Sequence, residues 1–404
     1  MSKRTLHAFF APASKKAKTE SASTATMAAS YATDGESPVQ CEEAFTEHLA
    51  YPFPIRELPK ELSDAILSSI SCTPRAINNL PDLDLLYYEP FFPRPLARQY
   101  FEHLRSQLPF YRVEYQYSRG GKVTDIRTPR YTTVFGLDAT ARFDESGRPV
   151  DATTRTQDLS KDPKYTQGNG PGNTTGLPRP LPQCVDVLRL AAEKATGHRF
   201  NFALVNYYAD GRDSISYHAD DEKFLGDYPT IASVSFGSKR DFCMKHKPFP
   251  PTVTNPPKTE VLKFPMASGD MLLMKGKTQA CWLHAVPKRA GAGFNDGGRL
   301  NITFRKALVK GGTANFYQYN VGSGPVYRWD DGRREMRTWT PPVKEGEEEA
   351  EFLRKKVVPV TIPRADGSVH RTYLTEVKVE QHGSEAQTET KTQTKSDEVD
   401  VKDS

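Results

Sequence analysis

Between Phe200 and Lys306 the chain breaks into seven short runs of strand-forming residues, separated by glycine, proline or polar turns. They read FNFALVNYY, ISYHAD, TIASVSFG, RDFCMKHK, VLKFP, DMLLMKG and RLNITFRK. Strands this short, with separators this tight, return antiparallel and must bury one face against a second layer. Helical patterns precede them, so the expectation is an α+β domain built on a sandwich or jelly roll.

The lead-in fits. PKELSDAILSSI near Leu58 and PLARQYFEHLRSQL (95–108) have helical spacing, and DLDLLYYEPFF (82–92) reads as a strand entering the main domain. VEYQYSRGGKVTDI reads as a hairpin closed by Gly120-Gly121. Residues 140–182 are polar and read as an insertion. Cys184, Val187, Leu188 and Ala191 then mark one face of a helix, with Lys194 in its last turn and Gly197 to end it.

Only 37% of the 404 residues are hydrophobic and 31 are proline, which points to a globular centre with disordered ends. Residues 1–50 read as a disordered tail and 51–81 as a short helical lead-in. The main domain is expected over 82–308, an extension of unknown role over 309–379, and a disordered acidic tail over 380–404. That tail carries a local charge of −4, which leaves +9 on the rest of a chain whose net charge is +5. A basic body suits a polyanionic partner such as nucleic acid. No run of 18 apolar residues exists and the N-terminus lacks a leader's apolar stretch, so neither a membrane nor secretion is expected. Cys41, Cys72, Cys184, Cys243 and Cys281 form no C-x-x-C pair, which fits reduced thiols in the cytosol or nucleus.

Chemistry concentrates in three segments. Residues i and i+2 of a strand share a face, so SYHADDE sets His218 beside Asp220 as a platform for a divalent metal. One more neutral imidazole gives two histidines and one carboxylate with three open positions, a set suited to non-haem Fe(II). His284 is the best third ligand. His7 and His382 lie in the tails, His198 in a turn, and His246 in a lysine-rich run where further cations disfavour metal. An isolated H-x-D also arises by chance at strand ends. In RLNITFRK, Arg299, Asn301, Thr303 and Arg305 share one face and Leu300, Ile302 and Phe304 the other. The polar face is either the wet side of an edge strand or a cradle for a dicarboxylate, which arginine's fork grips bidentately. Asn206 and Tyr208 also share a face and offer an amide and a phenol.

In order, N-x-Y, H-x-D, a distal His and R-x-N-x-T-x-R resemble the AlkB family of Fe(II)/2-oxoglutarate dioxygenases. NYYADGRDSISYHADDE and SVSFGSKRDFCMKHK resemble its eukaryotic nuclear DNA-repair branch, and the likeness runs from about Asp82 to Lys306. It implies a double-stranded β-helix, iron on His218, Asp220 and His284, and 2-oxoglutarate held by Asn206, Tyr208, Arg299 and Arg305, with Asn301 and Thr303 lining the pocket. Arg305 is expected on the remote carboxylate and Arg299 nearer the iron. Asp221 matches a position that contacts the damaged base, and Tyr165 a pocket tyrosine. With dioxygen, such an enzyme oxidises N-methyl groups of 1-methyladenine or 3-methylcytosine and releases formaldehyde, succinate and carbon dioxide.

A methyl on a Watson–Crick edge is reached only in an extruded or single-stranded base. Family members do this with a hairpin before the barrel. Here Tyr115 and Tyr117 share a strand face and either stack on bases or fill the hairpin. Arg119, Lys122, Arg127 and Arg130 are candidate phosphate contacts, as is the cluster Lys239, Arg240, Lys245 and Lys247. At the N-terminus, KRTLHAFF resembles a sliding-clamp-binding box, with Leu6, Phe9 and Phe10 as its apolar plug and Lys3 where such boxes prefer glutamine. With ASKKAK beyond it, the box implies a nuclear protein near replicating DNA. Two other functions share these features: an RNA demethylase with the same centre, and a catalytically silent scaffold tethered to the clamp.

Overall fold

The computed structural model describes residues 43–69, 73–119, 121–156, 178–289, 297–313, 317, 325–341, 356–363 and 369–376. Leu6, Phe9, Phe10, Tyr165 and the acidic tail lie outside the described residues. So do the side chains of Tyr115 and Tyr117, although the backbone around them is described.

Two antiparallel sheets form the centre. The larger is built from β1 (Arg75–Ile77), β2 (Leu85–Tyr88), β3 (Phe110–Tyr111), β6 (Tyr131–Gly136), β7 (Phe202–Tyr208), β9 (Ile231–Gly237), β12 (Met271–Met274), β14 (Arg299–Arg305), β15 (Val326–Asp330) and β16 (Glu335–Thr338). Its order is β16-β15-β3-β6-β7-β14-β9-β12-β2-β1. The smaller has the order β8-β13-β10-β11, from β8 (Ile215–His218), β10 (Arg240–His246), β11 (Leu262–Met266) and β13 (Trp282–Val286). From β7 to β10, and from β11 to β14, each successive strand belongs to the other sheet. That alternation is the double-stranded β-helix, so the α+β jelly roll expected from the strand runs is the fold. β4 (Glu114–Arg119) and β5 (Lys122–Arg127) pair as the expected hairpin, with Arg119 opposite Lys122.

The large sheet is buried on both faces. Ala203, Val205 and Tyr207 of β7 and Leu300, Ile302 and Phe304 of β14 pack in one core with the helices α1 (Lys60–Ser68), α2 (Arg94–Gln107) and α3 (Gln183–Thr196). From α2 come Tyr100 and Leu104, and from α3 Leu188 and Ala191. Each fully buried aliphatic or aromatic side chain contributes about 1.5–3 kcal/mol. α3 ends as expected at Gly197, whose φ of 72° closes the helix with its N–H on Glu193 O. On the other face Phe202, Leu204 and Tyr208 join Phe242, Phe264 and Trp282 of the small sheet in a second core. β9 leaves the large sheet at Gly237, where φ is +80° and a Cβ would stand 2.5 Å from Gly298 O, so only glycine fits.

Two details depart from the sequence reading, and two decide between readings it left open. Phe45–Thr46 pairs with Ile55–Arg56, so folded chain begins before position 51. β1, in the expected helical lead-in, pairs with β2 and is part of the large sheet. β14 lies between β7 and β9 rather than at an edge. Beyond Arg305, Tyr327 and Trp329 lie in the helix-side core and Tyr317 in the inner one, so these aromatics are packing residues.

Candidate metal and cosubstrate centre

Alternation along β14 sends its apolar residues toward the helices, so Arg299, Asn301, Thr303 and Arg305 must point into the sandwich. All four are buried, and the two arginines are 1% exposed. Buried charge is tolerated only where it is matched. Register supplies neighbours: Tyr208 stands opposite Arg299 and Asn206 opposite Asn301, while β9 sets Ser235 opposite Asn301 and Ser233 opposite Thr303.

The small sheet brings the metal candidates together. β8 and β13 pair with His218 directly opposite His284. β8 ends at His218, so Asp220 lies beyond the strand, not two places along it as the sequence reading had it. It is held instead by its backbone N–H, which donates to Gln279 Oε1 at 2.9 Å. The outcome is a cluster whose donor atoms lie within 4.8 Å of one another. His218 Nε2 is 3.7 Å from Asp220 Oδ1, and His284 Nε2 is 3.8 Å from Asp220 Oδ2. His218 donates Nδ1–H to Ser216 O at 2.9 Å, which leaves the Nε2 lone pair for a ligand. Burial pushes His284 down to about 3, so its imidazole is neutral at physiological pH. Burial opposes ionisation of Asp220, but Arg305 and the two imidazoles outweigh it and hold the carboxyl below its usual range. Asp220 Oδ2 is buried and accepts no hydrogen bond. The neutral His284 imidazole, the Nε2 lone pair of His218, an ionised carboxylate and an unpartnered carboxylate oxygen fit a divalent cation with open positions.

The arginines stand in the reverse of the expected order. Arg305 Nη2 is 2.9 Å from Asp220 Oδ1 and its Nη1 is 3.0 Å from Glu222 Oε1, which places Arg305 at the metal end. Arg299 lies at the far end of β14, where Nη2 donates to Ser235 Oγ at 2.7 Å and the guanidinium carbon is 5.5 Å from the Tyr208 ring centre. Its Nε and Nη1 have no partner. Burial pulls Arg299 down to about 10, with Tyr208 opposing that shift. A buried guanidinium with two idle donors fits a carboxylate that the chain itself does not supply.

The remaining polar residues divide by what they touch. Asn206 accepts from Arg130 Nε at 3.2 Å, which makes Arg130 a brace of that amide. Asn301 spends both amide hydrogens on Ser233 Oγ and Val234 O, and Thr303 donates to Leu204 O, so both tie β14 to its neighbours. Asp221 is exposed and pairs with Lys247 at 3.1 Å. Of the expected basic cluster, Arg240 is not free surface: it is 4% exposed and donates to Asp210 O, Asp213 O and Pro287 O, whereas Lys239 is exposed. Sequence reading missed Glu222, Gln279, Ser233 and Ser235. The serines carried a signal, because they alternate with Ala232 and Val234 in TIASVSFG.

The family model described as the 2OG-Fe(II) oxygenase superfamily matches residues 84–305, from the start of the jelly roll to the last arginine. The chain belongs to this superfamily. Its relatives are AlkB homologues. Over 118 residues, 29% of this chain and 39% of the relative, it is 44% identical to alpha-ketoglutarate-dependent dioxygenase alkB homolog 3 of Rattus norvegicus. It is 30% identical to DNA oxidative demethylase ALKBH2 of Arabidopsis thaliana over 56% of this chain and 67% of that one. With ALKBH2 of Bos taurus the identity is 34%, over 44% of this chain and 68% of the relative. The chain thus spans about two-fifths of the length of the alkB homolog 3 relatives it matches. The family's own name supplies the metal and cosubstrate that the donor set and the idle arginine fit.

Proposed function

We propose that this protein is an Fe(II)/2-oxoglutarate-dependent dioxygenase that removes N-alkyl groups from DNA bases, with 1-methyladenine and 3-methylcytosine as substrates. The observation that carries the reading is the pairing of a metal-ligand cluster, whose Asp220 Oδ2 has no hydrogen-bond partner, with a buried arginine whose Nε and Nη1 have none, both in the interior of the sandwich. Relatives named as DNA oxidative demethylases support the substrate class.

His218, Asp220 and His284 would hold the iron. Iron, with 2-oxoglutarate and dioxygen, supplies the oxidising power that places one oxygen atom on the N-methyl carbon and the other in succinate. Everything else is positioning by the chain. Arg299, with Ser235 and Tyr208, takes the remote carboxylate of 2-oxoglutarate, and Asn206 donates its amide from the adjacent strand. Arg305 balances Asp220 and keeps it ionised, so the cluster is ready for a cation without a proton to lose. The hydroxymethylated nitrogen then collapses to formaldehyde and the unmodified base. Asp221 stands directly after Asp220 and at the surface, where it would meet the base, while the β4–β5 hairpin with Tyr115 and Tyr117 would hold it extruded. The nuclear location and clamp docking through Leu6, Phe9 and Phe10 belong to the same proposal, and rest on the sequence alone.

The test offers 3-methylcytosine in single-stranded DNA, duplex DNA and RNA to the protein with Fe(II) and 2-oxoglutarate. Cytosine restored in DNA supports the proposal; restoration in RNA alone replaces it with the RNA demethylase.

A further inference from the structure

A second group of potential ligands lies at the far end of the small sheet. Asp82, His246 and Cys281 come from three separate segments: the loop before β2, the last residue of β10, and the residue before β13. One ligand atom from each lies within 4.8 Å of the others. His246 Nε2 is 3.7 Å from Asp82 Oδ2. The His246–Asp82 separation is too long for a hydrogen bond, while the Cys281 thiol, pushed up by burial and by the Asp82 carboxylate, is hydrogen-bonded to Asp82. Donors on a tetrahedral zinc ion, with bonds of about 2.0–2.3 Å, stand roughly 3.3–3.8 Å apart.

The histidine is built to present a lone pair. Its side chain is only 5% exposed. Its ring stacks on Phe249, with centroids 4.1 Å apart, and meets Trp282 edge-on at 5.3 Å. Nδ1 donates to Lys247 O at 2.5 Å, which fixes the tautomer and leaves Nε2 as an acceptor. That Nε2 is buried and has no hydrogen-bond partner. Trp282 donates to Pro81 O at 2.9 Å and so anchors the backbone next to Asp82.

The two lysines that flank His246 are engaged elsewhere, and a third pairs with one oxygen of Asp82. Lys245 lies over the Tyr217 ring, and Lys247 reaches Asp221 at 3.1 Å. Lys277 sits 3.3 Å from Asp82 Oδ1, which leaves Oδ2 for His246 and any shared ion.

We propose that Asp82, His246 and Cys281 form a second metal site, selective for a borderline-soft divalent cation of the zinc class, with a fourth position open to water. Imidazole, thiolate and carboxylate together favour zinc over magnesium or calcium, which prefer all-oxygen sets. Binding displaces the Cys281 proton to solvent and leaves a zinc–thiolate bond in its place. Cys281 closes the short turn that holds Gln279 against Asp220, so the ion would brace the first metal cluster from behind.

Full-length protein, stripped with a chelator, is titrated anaerobically with Co(II), and thiolate-to-cobalt charge-transfer absorption is followed. His218, Asp220 and His284 include no sulfur, so this band reports the second site whether or not the first binds iron. The expected result is a band that saturates within two equivalents in the wild type, saturates at one equivalent in His218→Ala, and bleaches with Zn(II). It should vanish in Cys281→Ser and in His246→Ala, and Asp82→Asn should weaken cobalt binding at least ten-fold, with unchanged circular dichroism in each variant. No band in the wild type, an unchanged band in Cys281→Ser, or wild-type affinity in Asp82→Asn would each overturn the proposal.

Discussion

Arg305 and Asp220 face each other at 2.9 Å, with side chains 2% and 4% exposed, in the interior of a β-sandwich. The pair is a buried counter-charge arranged around a carboxylate whose second oxygen is left without a partner. Removing one member of such a pair strands the other. Arg305→Ala should therefore raise the carboxyl pKa of Asp220 and weaken Fe(II) binding by ten-fold or more. Calorimetric titration with Fe(II) under nitrogen checks this, and an unchanged affinity would show that Asp220 needs no such partner.

Arg299 should behave differently, because two of its guanidinium nitrogens have no hydrogen-bond partner and no acid pairs with it among the described residues. A charge-assisted hydrogen bond contributes about 1.5–3 kcal/mol, or roughly ten- to a hundred-fold in affinity. Arg299→Met should raise the KM for 2-oxoglutarate by that factor while Fe(II) affinity stays within about three-fold. The protein without ligands should melt no lower than wild type, since a desolvated, partly unsatisfied cation has gone. Equal effects of Arg299→Met and Arg305→Ala on metal and cosubstrate would contradict the assigned polarity of the site.

That polarity shows where sequence reading stopped. Alternation along RLNITFRK placed Arg299 and Arg305 on one inward face, but it could not say which end lay near the metal. The answer depends on how β8 and β13 of the other sheet set His218 opposite His284, a long-range pairing that strand periodicity does not encode. The strands of β7, β9 and β14 were legible because each buries a full apolar face. β3, two residues long, was not, since it pairs with β15, a strand distant in sequence. Gln279 was invisible for a similar reason: its contact with Asp220 spans 59 positions.

Glu193 ties the end of α3 to the start of β7. It accepts from Arg189, Arg199 and the Phe200 N–H at 2.8, 2.8 and 2.7 Å. Burial pushes its carboxyl up, but these donors prevail and hold it below the usual glutamate range. A depressed folded pKa gives stability that is complete above the unfolded value and fades as pH falls through the folded one. Glu193→Gln should lower Tm at pH 7 and flatten the dependence of Tm on pH below about 4.5. An equal loss at pH 7 and pH 3 would show that the charge carries none of the effect.

The Asp221–Lys247 pair lies at the surface, and exposed pairs contribute about 0–1 kcal/mol. Lys247→Ala should leave Tm nearly unchanged. Asp221→Asn should raise the KM for an alkylated oligonucleotide while the KM for 2-oxoglutarate holds. Parallel changes in both KM values would remove Asp221 from the substrate side.

The most direct measurement of the central claim follows formaldehyde and succinate together as the protein, with Fe(II) and 2-oxoglutarate, acts on a 3-methylcytosine oligonucleotide. The account predicts equal yields of formaldehyde, succinate and restored cytosine, all abolished by His218→Ala. Succinate formed at the same rate with and without the oligonucleotide, and no restored cytosine, would contradict it and leave a dioxygenase centre whose substrate is not an alkylated base.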